Sequence, residues 1–123
     1  MILHGIDLIE ISRIKLVIIR WGDRFLHRFF TPQELEYCNR FKNPYQHFAV
    51  RFAAKEAGVK ALSELFECYI SQFEVVSNHS SSPHLKYLQS DNYIGKLSLS
   101  HTDTLAIASV IFENDNRSDK ITS

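Results

Sequence analysis

Two acidic residues stand where acids are costly. Glu56 lies in the segment Arg51-Phe52-Ala53-Ala54-Lys55-Glu56-Ala57-Gly58-Val59-Lys60-Ala61-Leu62, four residues after Phe52 and three before Val59. On a helix this spacing sets its carboxylate along the apolar stripe. Asp7 lies in Ile2-Leu3-His4-Gly5-Ile6-Asp7-Leu8-Ile9-Glu10-Ile11, where β-branched residues and Leu fill both alternate sets, the pattern of a strand covered on both faces. A lone buried carboxylate tends to take up a proton, whereas two that share a divalent cation both stay ionised. Hard oxygen ligands favour Mg²⁺, which keeps waters and accepts phosphate oxygens in its remaining positions. Lys60, one turn beyond Glu56, and Arg51, more than one turn before it, flank the acid with cations. The pattern points to phosphate chemistry.

Each of these residues also fits an ordinary structural role. Glu56 and Lys60 have the spacing of a surface i,i+4 pair worth about 0.2–0.5 kcal/mol, and Asp7 fits a turn at a strand end. His101, beside a turn, fits a hydrogen-bonded structural histidine, Arg13 a solvated helix residue, and Arg51 a salt-bridge partner. Taken singly, none is diagnostic.

The elements that must carry these residues follow from periodicity and punctuation. Ile2 to Ile11 reads as a strand. Ser12 is placed to cap a short helix over Arg13 to Arg20, where Ile14, Val17 and Ile18 recur at helical spacing before Gly22. After an aromatic run, Thr31, Pro32 and Glu34 fit Ncap, N1 and N3 of a helix from Pro32 to about Phe41. Tyr45 to about Phe66 is the longest helical pattern, with Phe48, Phe52, Val59 and Leu62 on one stripe. The period then changes: Ile70 to Ser77, His84 to Gln89, Lys96 to His101 and Leu105 to Glu113 read as strands. Residues 78–83 form a loop, and Thr102-Asp103-Thr104 joins its flanking strands as a hairpin, with Leu105, Ile107, Ser109 and Ile111 on one face. Helices early and antiparallel strands late predict an α+β domain with a long central helix.

At 123 residues the chain is one domain, with a core over about residues 1–113 and a polar tail over 114–123. Hydrophobic residues at 45% and charged residues at 23% exclude wholesale disorder. Fourteen Lys and Arg balance fourteen Asp and Glu, so no global basic field exists of the kind a nonspecific nucleic-acid binder carries. Asp7, Glu10, Arg13 and Lys15 interrupt the apolar amino-terminal stretch before a bilayer-spanning length accumulates, which predicts a soluble cytoplasmic chain without a membrane partner. Cys38 and Cys68 have no metal-spaced companions and read as buried thiols. No glycine-rich phosphate loop follows a strand.

Taken together, the segments resemble the holo-acyl-carrier-protein synthase family, the short bacterial type of 4′-phosphopantetheinyl transferase. Three blocks carry the resemblance in order: Gly5 to Ile11 with Arg13-Ile14, Arg51 to Ala57 with Lys60-Ala61-Leu62, and Ser98-Leu99-Ser100-His101-Thr102. Gly22 to Leu26 and Phe30 to Leu35 are similar to the family as well. The resemblance implies an α+β domain that forms homotrimers with active sites between subunits. It implies Mg²⁺-dependent transfer of phosphopantetheine from coenzyme A to a serine of acyl carrier protein, with release of adenosine 3′,5′-bisphosphate, as a step serving fatty acid biosynthesis. By the same resemblance Asp7 and Glu56 hold Mg²⁺, Glu56 and Lys60 are catalytic, Arg51 and His101 belong to the coenzyme A site, and Arg13 meets the acidic carrier. Where the family usually continues Gly-Thr-Gly after the Lys-Ala-Leu triplet, this chain has Ser63-Glu64-Leu65. That departure motivates the alternative of a noncatalytic relative that binds carrier or coenzyme A. A metal-dependent phosphohydrolase using the same acids is a third reading, detectable as loss of coenzyme A without any carrier.

Overall fold

A computed structural model describes residues 1–77 and 82–113. In chain order the elements are β1 (Ile2–Glu10), α1 (Ile11–Trp21), α2 (Asp23–Phe29), α3 (Pro32–Asn39), α4 (Tyr45–Leu62), a 3₁₀ turn (Ile70–Gln72), β2 (Phe73–Val76), β3 (His84–Tyr87), β4 (Ile94–His101) and β5 (Leu105–Glu113). The five strands form one antiparallel sheet in the order β1-β5-β4-β3-β2. Helix α4 lies across one face of it, and α1, α2 and α3 pack around the amino-terminal half of α4. This is the expected α+β architecture.

Small residues let α4 approach the sheet closely. Ala53, Ala57 and Ala61 recur every four residues and are buried against Leu3, Val110 and Phe112. Gly5 of β1 meets the helix backbone directly: a Cβ there would stand 1.9 Å from the Ala57 carbonyl oxygen. Gly58 lies under Phe73 and Leu85, whose side chains occupy the space a Cβ would need. The helix is thus enclosed on several sides rather than along a single apolar stripe, and its buried face includes Arg51 and Lys55. Phe52, Glu56 and Val59 do share one side, as their spacing predicts, but that side is half-buried and forms the rim of the core.

The expected two-sided strand is corrected. Only Leu3 and Gly5 of β1 are buried, while Ile2, Ile6 and Leu8 are exposed on the opposite face. A single layer of helices covers one face of the sheet, so the inward set meets α4 and the other set has no cover among the described residues. Leu105, Ile107, Ser109 and Ile111 do share a face, and it is the uncovered one; Ala106, Ala108, Val110 and Phe112 face the core.

Several boundaries move for local reasons. Helix α1 begins at Ile11, not Arg13, with Glu10 at its N-cap and no side-chain cap, so Ser12 is inside the helix. The aromatic run contains the unanticipated helix α2. Helix α3 has the expected reciprocal cap, Thr31 and Glu34 satisfying each other's backbone amides. Helix α4 stops at Leu62, whose carbonyl accepts from both Leu65 and Phe66, turning the chain four residues earlier than predicted. The segment from Ile70 begins as a 3₁₀ turn before β2, β3 ends at Tyr87, and β4 starts at Ile94. The hairpin at 102–104 is held by Thr102, whose amide donates to the Leu105 carbonyl and whose hydroxyl accepts from the Thr104 and Leu105 amides. Residues 78–81 of the expected loop and the expected tail 114–123 lie outside the described residues. Both cysteines are buried free thiols, and burial pushes Cys38 up to about 12. Among the described residues no helix is long and apolar enough to cross a membrane.

Candidate active site

Strand β1 and helix α4 bring the two acids together. Asp7 follows Gly5 by two residues and so points to the same side of β1, over α4. Glu56 precedes Ala57, the residue Gly5 touches. Both carboxylates line one cavity of about 430 Å³ with Leu8, Ile9, Arg13, Ile14, Val17, Phe25 and Phe52. Edge strand, first helix, second helix and central helix each contribute a wall.

Electrostatics tie the pair to a lysine. Lys60 Nζ donates to Asp7 Oδ1 at 3.0 Å and to the Ile6 carbonyl at 3.1 Å. Its ion pair is therefore with the strand acid, 53 residues away, and the ordinary i,i+4 pairing with Glu56 is not what the structure contains. Burial raises the Glu56 carboxyl above its usual value, the neighbouring Asp7 charge raises it further, and Lys60 opposes both. Two carboxylates that repel across a cavity, with a lysine bonded to only one of them, suit a divalent cation with positions left for water or phosphate. Among the described residues no group of three or more His, Cys, Asp or Glu gathers into a closed cage.

Of the other candidates, one joins the acids and two lie apart from them. Arg13, exposed on α1, lines the same cavity as the acids. Arg51 is buried on a different side of α4, its guanidinium 3.9 Å above the Tyr37 ring. It donates weakly to the His47 carbonyl and the Ser77 hydroxyl, each at 3.4 Å. It lines a second cavity of about 480 Å³ with Tyr37, Arg40 and Glu74. His101 is exposed at the end of β4, its Nδ1 3.2 Å from the Thr102 carbonyl. It is near enough to His47 to help lower that imidazole, after burial and Arg51. Asp7, Arg13, Glu56 and Lys60 thus converge within one chain, and Arg51 and His101 do not line their cavity.

One pair escaped the sequence reading. Lys55 and Glu34 are fully buried and joined at 2.6 Å between Nζ and Oε1. Glu34 was legible only as a capping residue. A signal for Lys55 existed in the spacing Arg51-Lys55-Gly58-Leu62, which sets two long cations on one face with a glycine and a leucine.

Fold and cavity together define a small α+β domain that presents an acid pair and basic groups at the junction of its edge strand and central helix. Residues 4–110 match the model of the 4′-phosphopantetheinyl transferase superfamily, and the chain belongs to that family. It is 42% identical over 120 residues to the holo-[acyl-carrier-protein] synthase of Koribacter versatilis, covering 89% of this chain and 96% of that one. With the holo-[acyl-carrier-protein] synthase of Halothermothrix orenii it shares 39% identity over 118 residues, 89% and 94% of the two chains. The crystal structure of a holo-(acyl-carrier-protein) synthase from Bacillus anthracis in complex with CoA (3′,5′-ADP) matches with a TM-score of 0.75 and 32% identity, over 92% of this chain and 96% of that one. The Helicobacter pylori holo-[acyl-carrier-protein] synthase in complex with coenzyme A matches with a TM-score of 0.77 and 29% identity, over 90% and 100%. The resemblance drawn from the three sequence blocks holds at the level of family and fold.

Proposed function

We propose that this chain transfers the 4′-phosphopantetheine group from coenzyme A to a serine of apo acyl carrier protein, in a reaction that needs Mg²⁺. The observation that carries the reading is the meeting of Asp7, Glu56 and Arg13 on one cavity with Lys60 bonded to Asp7. Asp7 and Glu56 fit Mg²⁺, because they are hard oxygen donors on one cavity wall and their mutual repulsion is relieved by a cation between them. Bound there, Mg²⁺ supplies charge neutralisation for the diphosphate of coenzyme A.

The chain's own residues account for the rest of the chemistry. The serine oxygen attacks the phosphorus nearest the pantetheine arm, and the bond from that phosphorus to the oxygen of the departing nucleotide breaks. Glu56, half-buried on the cavity wall beside Asp7, is placed to accept the serine proton. Lys60 is exposed and can offset the negative charge that grows on adenosine 3′,5′-bisphosphate as it departs. On the carrier side, Arg13, Lys15 and Arg20 of α1 and Arg24 and Arg28 of α2 are exposed, and the Trp21 ring lies against Arg20 and Arg24. Such a patch attracts an acidic carrier although net charge is zero.

The uncovered sheet face supports a homotrimer with active sites between subunits. Ile2, Ile6, Leu8, Ile94, Leu105 and Ile111 are exposed apolar residues of β1, β5 and β4, set among His4, Lys96 and Ser109 on the same face, which other copies of the chain would cover. A neighbouring subunit would then supply Arg51 and His101 to complete the coenzyme A site. In this reading the transferase domain spans 1–113, with 114–123 as a tail, and works in the cytoplasm in fatty acid biosynthesis.

The test is mass spectrometry of an apo carrier incubated with the chain, coenzyme A and Mg²⁺. A gain of one phosphopantetheine group on the serine is expected. No gain with several carriers, coenzyme A remaining intact, would overturn the transferase reading; calorimetric binding without turnover would replace it with a noncatalytic carrier-binding role.

A further inference from the structure

Helix α2 has little to hold it. It is seven residues long, buries no residue fully and has no side-chain hydrogen bond at its N-cap. Yet it supplies Phe25 to the cavity of the two acids and carries Arg24 and Arg28 on its outer side. Two kinds of contact fasten it to α4. Phe25 and Phe29 pack against Phe52, ring centroids 5.8 and 5.9 Å apart. At the carboxyl end, the Phe29 carbonyl accepts a hydrogen bond from Lys55 Nζ.

Lys55 is an expensive way to make that bond. It is fully buried, and burial lowers its ammonium from the ordinary value, opposed by Glu34. Glu34 is itself completely engaged: Oε1 accepts from Lys55 and the Thr31 amide, Oε2 from the Val75 amide at 2.8 Å. Thr31 in turn donates to Glu74. One buried cation therefore ties the end of α2, the cap of α3 and strand β2 to the residue of α4 that directly precedes Glu56. A cation at the carboxyl end of α2 also suits the helix dipole.

We propose that Lys55, balanced by Glu34, is a positioning residue for the transfer: by holding the Phe29 carbonyl it fixes α2, and with it the Phe25 wall and the Arg24 and Arg28 edge, against the turn of α4 that carries Glu56. Its role in turnover rests on the transferase reading; its effect on α2 does not. A buried ion pair can be replaced by uncharged residues of similar volume without loss of fold, which separates the two roles.

The experiment compares E34Q with E34Q/K55M, each by hydrogen exchange and by steady-state kinetics against apo carrier and coenzyme A. E34Q removes the charge pair but leaves the amine on the Phe29 carbonyl; α2 exchange is expected to stay as in wild type. In E34Q/K55M the Phe30 amide, which closes the last turn of α2 on the Leu26 carbonyl, and the Leu26 amide, which closes its first turn on the Gly22 carbonyl, should exchange at least about tenfold faster while the centre of α4 stays protected. The KM for carrier should rise about tenfold with that for coenzyme A little changed. Unchanged α2 exchange in the double variant, or loosened α2 with wild-type kinetics, overturns the proposal. If the wild type proves inactive, the exchange result alone decides whether Lys55 fixes α2. Should the double variant fail to fold, K55M alone, which keeps the Glu34 bonds to Val75 and Thr31, is read in the same assays; failure of both to fold overturns positioning in favour of a purely architectural role.

Discussion

Gly5→Ala tests the contact that sets the site. The new Cβ would lie 1.9 Å from the Ala57 carbonyl oxygen, 2.8 Å from the Ala57 carbonyl carbon and 3.0 Å from the Ala61 nitrogen. All three are backbone atoms of α4, so no rotamer change relieves the clash. Ordinary contact begins at 3.4 Å, so strand and helix must separate by about 1.5 Å along that line. Overpacking of this kind costs roughly 1–3 kcal/mol, and the backbone origin puts Gly5→Ala at about 3 kcal/mol or more. In a chain of this size that lowers Tm by roughly 10–15 °C. Asp7, two residues along, moves with the strand away from Glu56, and a misplacement near 1 Å costs on the order of 100-fold in rate. Differential scanning calorimetry gives the first number. Transfer of phosphopantetheine to carrier, measured well below the lowered Tm, gives the second. Gly58→Ala is the control: the atoms nearest its Cβ are side-chain atoms of Leu85 and Phe73 rather than helix or strand backbone, so stability should fall less and activity should persist. A Gly5→Ala variant with wild-type Tm and rate would refute the claim that this close approach positions Asp7.

Three further outcomes are expected. Because the Glu56 carboxyl is raised in the folded chain, the folded state releases that proton later than the unfolded chain as pH rises, so ionising it costs stability above its folded value and costs nothing well below the ordinary value of 4.5. In metal-free buffer, Glu56→Gln should therefore melt higher than wild type at neutral pH, with the gap closing in acid; an equal gap at every pH would contradict this. Ile111→Asp, on the uncovered sheet face, should leave circular dichroism native, abolish assembly seen by light scattering and abolish transfer, and an unchanged mass would contradict the assembly. Arg13→Glu should raise KM for carrier about tenfold, more at low salt than at high, while KM for coenzyme A stays near wild type; no salt dependence would remove Arg13 from the carrier surface.

The sequence made the acids legible because charge among apolar residues is rare enough to need an explanation, and both did belong to one cavity. Periodicity found α4 and β5 because both are long and rich in apolar residues, although the buried set of α4 includes Arg51 and Lys55 and the β5 set it named is the uncovered one. It misjudged β1, since apolar residues that the chain leaves exposed read in sequence like those facing its core; Ile2, Ile6 and Leu8 are the difference. Helix α2 was hidden because it is seven residues long and buries no residue fully, although Phe25 and Phe29 stand at helical spacing. The Lys60 to Asp7 pair spans 53 positions and has no local signature, which is why the i,i+4 partner looked more natural. The Lys55–Glu34 pair was hidden for the same reason, joining residues 21 positions apart across α3 and α4.

Most directly decisive is the rate of carrier modification as Mg²⁺ is titrated back into chelator-treated enzyme, for wild type and for an Asp7→Asn/Glu56→Gln double variant of native circular dichroism. Wild type should go from no transfer to full transfer as Mg²⁺ rises, and the double variant should remain at least about 100-fold slower at every concentration. Transfer at the wild-type rate by the double variant, or by wild type in excess chelator, would contradict the assignment of these two carboxylates to a shared magnesium ion.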